Sequence, residues 1–178
     1  IISHSSRSSR KTKAKCFTTD FSVFFLMLLQ REHDFLRQEM SLEMVLADED
    51  WDYVSLQQAS TFSGMYETYE ASLPELIEYV KARLPKKTKL MLHQTWAYAS
   101  TSNHGGFKNY NRDQLTMYHA IVDAVKKAGK AYKIKMIIPT GTAIQNARTS
   151  FIGDHMNRDG HHLDVKVGRY TAACTWFE

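Results

Sequence analysis

The chain predicts an α/β sandwich built on a parallel sheet, on the strength of three observations. Short β-prone runs alternate with amphipathic helical stretches in the order strand, helix, strand, helix, strand, which is the order of a parallel sheet with crossover helices. Each β-prone run closes on a polar cluster: Gln57-Gln58 after the first, His93-Gln94-Thr95 after the second, Thr140 after the third. Open parallel sheets bind ligands beyond the carboxyl ends of their strands, so these clusters share one rim. The 178 residues, 43% of them hydrophobic, suffice for one domain with a substantial core and are too few to favour two.

Residues 1–40 stand apart from the domain expected over 41–178. Arg7, Arg10, Lys11, Lys13 and Lys15 carry much of the formal charge of +4, and the apolar stretch FSVFFLMLL at 21–29 follows them. Basic residues before an apolar run imitate an export signal, which would place the protein in the periplasm or outside the cell, although no small-residue cleavage site follows. The run is too short for a stable membrane span. A buried strand, a buried helical segment and the scar of a truncated or mis-framed reading stay open beside the export reading. The remainder of the chain is close to neutral, so no nucleic-acid partner is expected. Cys16 and Cys174 lie in no metal-ligand spacing and leave the redox compartment undecided.

Residues 41–47 read as a short helix, and the sheet begins with Tyr53-Val54-Ser55-Leu56. Leu73, Leu76, Ile77, Val80 and Leu84 then fall on one face at helical spacing. Ser72 and Glu75 stand in capping-box register, Pro74 occupies the first turn, and Pro85 ends the helix. A second strand over 89–92 runs into His93, Gln94, Thr95, Trp96 and Tyr98. The next helix is expected over 112–128, capped by Asn111 or Gln114, turning Tyr118, Ile121, Val122 and Val125 inward and stopping at Gly129. A third strand over 134–138 closes on the turn Pro139-Thr140-Gly141. A last helix over 163–176 would bury Leu163, Val167, Tyr170 and Cys174.

The chemistry concentrates in Arg158-Asp159-Gly160-His161-His162-Leu163. A carboxylate three residues ahead of a histidine can accept a hydrogen bond from that imidazole. Such a bond fixes the tautomer, leaves the other ring nitrogen free as a base toward a serine hydroxyl, and stabilises the imidazolium that forms. The plainer reading is a polar turn capping the helix that follows. Structural roles are likewise favoured for His93 and His104, whose spacing is not that of a compact metal site. Trp96 and Tyr98 suit either a sugar ring or the core, and Arg148 either an anionic substrate group or Asp154. There is no internal repeat, P-loop, dinucleotide glycine fingerprint or HExxH, so neither a cofactor nor a metal is expected.

Taken together, WDYVSLQQAS at 51–60, LHQTWAYA at 92–99, IIPTGTAIQNAR at 137–148, RDGHHLD at 158–164 and the closing GRYTAACTWFE resemble the SGNH/GDSL hydrolase superfamily, in particular a bacterial branch known as a domain of unknown function. The resemblance runs from about Ser41 to Glu178. It implies a flavodoxin-like three-layer α/β/α sandwich, here incomplete at its N-terminus, and ester hydrolysis through an acyl-enzyme. Carried over residue by residue, Asp159 becomes the orienting acid and His162 the general base, with His161 at a variable position between them. Gln57 or Gln58 stands where the superfamily usually has an oxyanion-hole Asn. His93, Gln94, Trp96 and Thr140 are the residues expected to line the substrate site.

The superfamily's serine lies in a Gly-x-Ser-like turn after the first strand, and Ser5, Ser6, Ser8, Ser9 and Ser22 have no such setting. The chain is therefore expected to be a fragment lacking its nucleophile block. Two functions follow: a serine-type esterase acting on a small-molecule or carbohydrate ester, as a carbohydrate esterase or an acetyl esterase would, or a non-catalytic carbohydrate-binding relative.

Overall fold

The computed structural model describes residues 12–18, 24–31, 41–48 and 50–177. One sheet runs through it in the order β1 (Thr12–Thr18), β2 (Phe24–Arg31), β3 (Tyr53–Gln58), β4 (Lys89–His93), β5 (Met136–Ile138). β3, β4 and β5 are parallel, in a register that sets Tyr53 beside Lys89, Leu56 beside Leu92 and His93 beside Ile138. β2 lies antiparallel to β3, and β1 antiparallel to β2. Of the readings open for the apolar run, its residues from Phe24 onward form a strand. Ser5, Ser6, Ser8, Ser9 and Ser22 fall outside the described residues.

The period of two along the central strands allocates side chains to the two faces of the sheet. Val54 and Leu56 on β3 and Leu90 and Leu92 on β4 join the main core beneath α1 (Leu42–Asp48), α2 (Tyr66–Arg83) and α3 (Gln114–Ala131). Gln57 and His93 alternate with them and face the other way, where Trp176 of the last helix meets the His93 ring at 5.1 Å between centroids. Helices on both faces make three layers, as expected. Among the described residues no helix is long and apolar enough to cross a membrane.

The helix boundaries correct the sequence reading in instructive ways. α2 begins two turns before Ser72: its N-cap is Met65, without a side-chain bond, and Pro74 lies inside it. Ser72 donates back to the Thr68 carbonyl at 3.1 Å instead of capping. Proline in the interior forfeits one backbone hydrogen bond. Extending the helix buries Tyr69 in register with Leu73, Leu76, Ile77 and Val80, and lets its hydroxyl donate to the Ser63 carbonyl at 2.9 Å. Each such apolar side chain contributes about 1.5–3 kcal/mol on burial, enough to offset the lost bond. α3 is capped by Asp113, whose carboxylate accepts from the Thr116 amide at 2.7 Å, and it continues past Gly129 to Ala131. Its buried stripe starts one residue earlier than expected, at Met117, followed by Ile121, Ala124, Val125 and Ala128.

β5 is shorter than expected, and the turn read at Pro139-Thr140-Gly141 is the start of α4 (Thr140–Ala147). Gly141 permits this: its amide donates to the Gln94 carbonyl at 3.1 Å, and a Cβ there would run into the Thr95 carbonyl oxygen. Gly141→Ala is therefore expected to cost about 1–3 kcal/mol, lowering the melting temperature by roughly 2–4 °C per kcal/mol. Gly105→Ala, which meets nothing within 4 Å, should leave it unchanged. Differential scanning calorimetry of the two variants checks both.

The last helix, α5 (Val167–Phe177), starts four residues after Leu163, with the Asp164 carboxylate accepting from the amides of Lys166 and Val167, each at 2.9 Å. Leu163 is buried in the preceding loop, whereas Tyr170 is 72% exposed and Cys174 is also exposed. The inward face carries small residues, because Gly168 sits against the Met156 carbonyl and brings the helix close. Val167 and Ala172 pack with Trp96, Ala147 and Ile152 around Ile144, Met156 and Leu163, a second core apart from the first.

Candidate functional site

The loop carrying Asp159 is bound to its surroundings through its backbone. Asn157 and Leu163 form a bridge, the Arg158 amide donates to the His162 carbonyl at 2.9 Å, and the Ala99 amide donates to the Gly160 carbonyl at 2.8 Å. Gly160 takes φ +84°, a conformation that suits glycine. Trp96 Nε1 and Asn157 Nδ2 both donate to the His161 carbonyl, at 2.8 and 3.1 Å. Loops after β4 and α4 thereby hold the turn from two sides.

Within the turn, Asp159 Oδ1 accepts from the amides of His161 and His162 at 3.2 and 2.7 Å, and Oδ2 lies 2.7 Å from His162 Nδ1. The bond to the His162 side chain outweighs the opposing effect of desolvation and, with those backbone amides adding to it, holds the Asp159 carboxyl well below the usual carboxylate range. A carboxylate in that position orients the ring and favours the tautomer that donates from Nδ1. The His162 side chain is 57% exposed, so its Nε2 is open to a reactant. Among the described residues, no serine hydroxyl is bonded to the His162 ring.

His93 centres a second group on the same rim. Its Nδ1 pairs with Gln57 Oε1, and its Nε2 lies 2.8 Å from Thr140 Oγ1, which is 3.2 Å from Thr175 Oγ1. Burial pushes the His93 pKa down to about 4, so the ring is neutral. With its oxygen anchored, the Gln57 amide nitrogen has no partner among the described residues. Gln58 lies on the opposite face, donating to Thr68 Oγ1 at 2.8 Å and accepting from the Ala59 amide at 2.8 Å. The parity of the strand therefore separates the two glutamines that adjacency had grouped.

Trp96 joins the two groups, its ring 6.4 Å from that of His93 and its indole N–H on the His161 carbonyl. No direct bond links Gln57, His93 or Thr140 to Asp159 or His162 among the described residues. Gln94 is buried, its Oε1 accepting from Thr142 Oγ1 at 3.1 Å while its Nε2 has no hydrogen-bond partner among the described residues. Arg148 pairs with Asp154 as an ion pair, Nε 3.0 Å from Oδ1, and donates through Nη2 to the Ala97 carbonyl and Asn157 Oδ1. A cavity of about 410 Å³ opens beside Asp159, lined by polar groups that include Ser100, Asn103, His155, Asn157 and Arg158. A smaller cavity of about 210 Å³ lies between Val80 and Leu90, away from this chemistry.

Sequence reasoning passed over Asn157, Thr175 and Trp176. The spacing Val167, Thr171, Thr175 is an i, i+4 stripe that carried the signal, but Tyr170 and Cys174 were the more apolar choice.

Residues 33–178 match the family model described as Domain of unknown function (DUF4886). The crystal structure of a DUF4886 family protein from Bacteroides uniformis is 59% identical, with a TM-score of 0.78, over 87% of this chain. This chain spans 60% of that protein's length. A candidate SGNH hydrolase from Slackia heliotrinireducens is 21% identical with a TM-score of 0.55, covering 75% of this chain and 68% of its own, a likeness of fold alone. No curated protein matches the chain.

Proposed function

The chain belongs to the DUF4886 family and shares the fold of an SGNH hydrolase candidate, and from that premise we propose that it supplies the acid–base machinery of a serine-type ester hydrolase. The observation that carries the reading is the 2.7 Å contact between Asp159 Oδ2 and His162 Nδ1 with the rest of the ring open. His162 Nε2 takes the proton of a serine hydroxyl as its oxygen attacks the ester carbonyl. The negative charge that develops on the carbonyl oxygen is met by the free amide N–H of Gln57. Collapse expels the alcohol, protonated by His162, and water then hydrolyses the acyl-enzyme with the same base. The serine belongs to a block outside the described residues.

An acetylated carbohydrate is the substrate class we favour. The cavity beside Asp159 offers the hydroxyl, amide and guanidinium groups that hydroxyl-rich ligands bind. The second reading, a non-catalytic carbohydrate-binding relative, is favoured by the lack of a serine bonded to His162 among the described residues.

A fluorophosphonate probe separates the two readings. The Bacteroides uniformis relative is expected to be labelled on one serine, with labelling suppressed when the histidine aligned with His162 is replaced by alanine. Absence of labelling, combined with saturable binding of an acetylated oligosaccharide by calorimetry, would instead establish the binding reading.

A further inference from the structure

We propose that the Asp159–His161–His162 turn is a binding site for a zinc-like divalent cation. One ligand atom from each of the three residues lies within 4.8 Å of the other two. His161 Nδ1 is 3.2 Å from Asp159 Oδ1 and His162 Nδ1 is 2.7 Å from Asp159 Oδ2. In a tetrahedral site with bonds of about 2.0–2.1 Å, neighbouring donor atoms stand roughly 3.4 Å apart. The two contacts run to different oxygens of one carboxylate, so the three side chains already converge on it, and rotations of the rings and the carboxyl group bring two nitrogens and one oxygen to those separations. The two imidazoles lie side by side, their centroids 3.9 Å apart at an interplanar angle of 43°.

Two imidazole nitrogens and one carboxylate oxygen form a donor set that suits zinc, and copper or nickel by the same chemistry, over magnesium or calcium, which take oxygen ligands. On binding, each ring presents Nδ1 to the metal and carries its proton on Nε2, and the metal takes the position between rings and carboxylate. The Arg158 guanidinium, whose Nε is 3.7 Å from Asp159 Oδ2, is half-exposed and has room to turn aside. The backbone does not have to reorganise, since the Asp159–amide bonds and the bonds to the His161 carbonyl already hold the turn. Water completes the coordination on the exposed side of His162. His104, whose ring is 4.7 Å from that of His161, is committed through Nδ1 to the Gly106 amide and stays a packing neighbour.

This site does not rest on hydrolysis, and its test contains no ester. The metal-free 178-residue chain, carrying Cys16→Ser and Cys174→Ser to remove thiol ligands, is titrated with Zn²⁺ against a chromophoric chelator. One zinc per chain is expected. His161→Ala and the isosteric Asp159→Asn should each weaken binding by about tenfold or more, with unchanged circular dichroism, whereas His155→Ala should not. Loading with Co²⁺ should give a visible d–d absorption that His161→Ala abolishes. Zinc binding that survives both His161→Ala and Asp159→Asn, or that His155→Ala removes, would overturn the proposal.

Discussion

The 178-residue chain on its own is expected to hydrolyse an activated acetyl ester no faster than roughly 10³–10⁴-fold above water, the level that binding and an oxyanion donor sustain without a nucleophile. On the function proposed above, with no serine of these residues reaching the base, His162→Ala should leave that rate unaltered. In a version extended upstream to include a strand and a Gly-x-Ser turn, the same substitution should lower kcat by about 10⁴-fold or more, since triad members act as a unit. Asp159→Asn in that background should cost on the order of 10⁴-fold by allowing the wrong tautomer at the 2.7 Å contact. Initial rates of the five proteins settle the matter. Turnover by the short chain that disappears with His162→Ala would mean that a serine within these residues, or a water held by His162, performs the attack.

Acid should destabilise the fold through His93 before the carboxylates titrate. The folded-state pKa of His93 is near 4 against an ordinary value of 6.5, so between those values the unfolded chain binds the proton and the folded chain does not. Stability therefore rises with pH across that window: it is fully present above pH 6.5 and falls as the pH drops toward 4. A difference of about 2.5 pKa units corresponds to about 3 kcal/mol. His104, also lowered by its surroundings, acts in the same direction. Urea unfolding at pH 7 and pH 4.5 should show the loss in the parent, and His93→Gln should reduce it markedly. An equal loss in the two proteins would show that the His93 site admits the proton without penalty.

Features set by near neighbours were legible in the residues. The three parallel strands, the crossover helices and the approach of Asp159 to His162 all depend on contacts a few positions apart or on patterns of period two and 3.6. The limits of α2 were not, because the reward for starting at Tyr66 is the burial of Tyr69 against residues distant in sequence. The same holds for α5: its inward face is chosen by how closely Gly168 can approach the Met156 carbonyl, and hydrophobicity along the helix had pointed to Tyr170 and Cys174 instead. Adjacency in the sequence could not say which of Gln57 and Gln58 belongs to the rim. Strand parity puts them on opposite faces, but only the packing of α2 on one face and α5 on the other gives Gln58 to Thr68 and Gln57 to His93. The sequence by itself determined the alternation of elements and the Asp159–His162 turn, because short-range geometry suffices for both; tertiary structure decided which polar groups meet on the rim, because burial is a property of the surfaces that close over a residue.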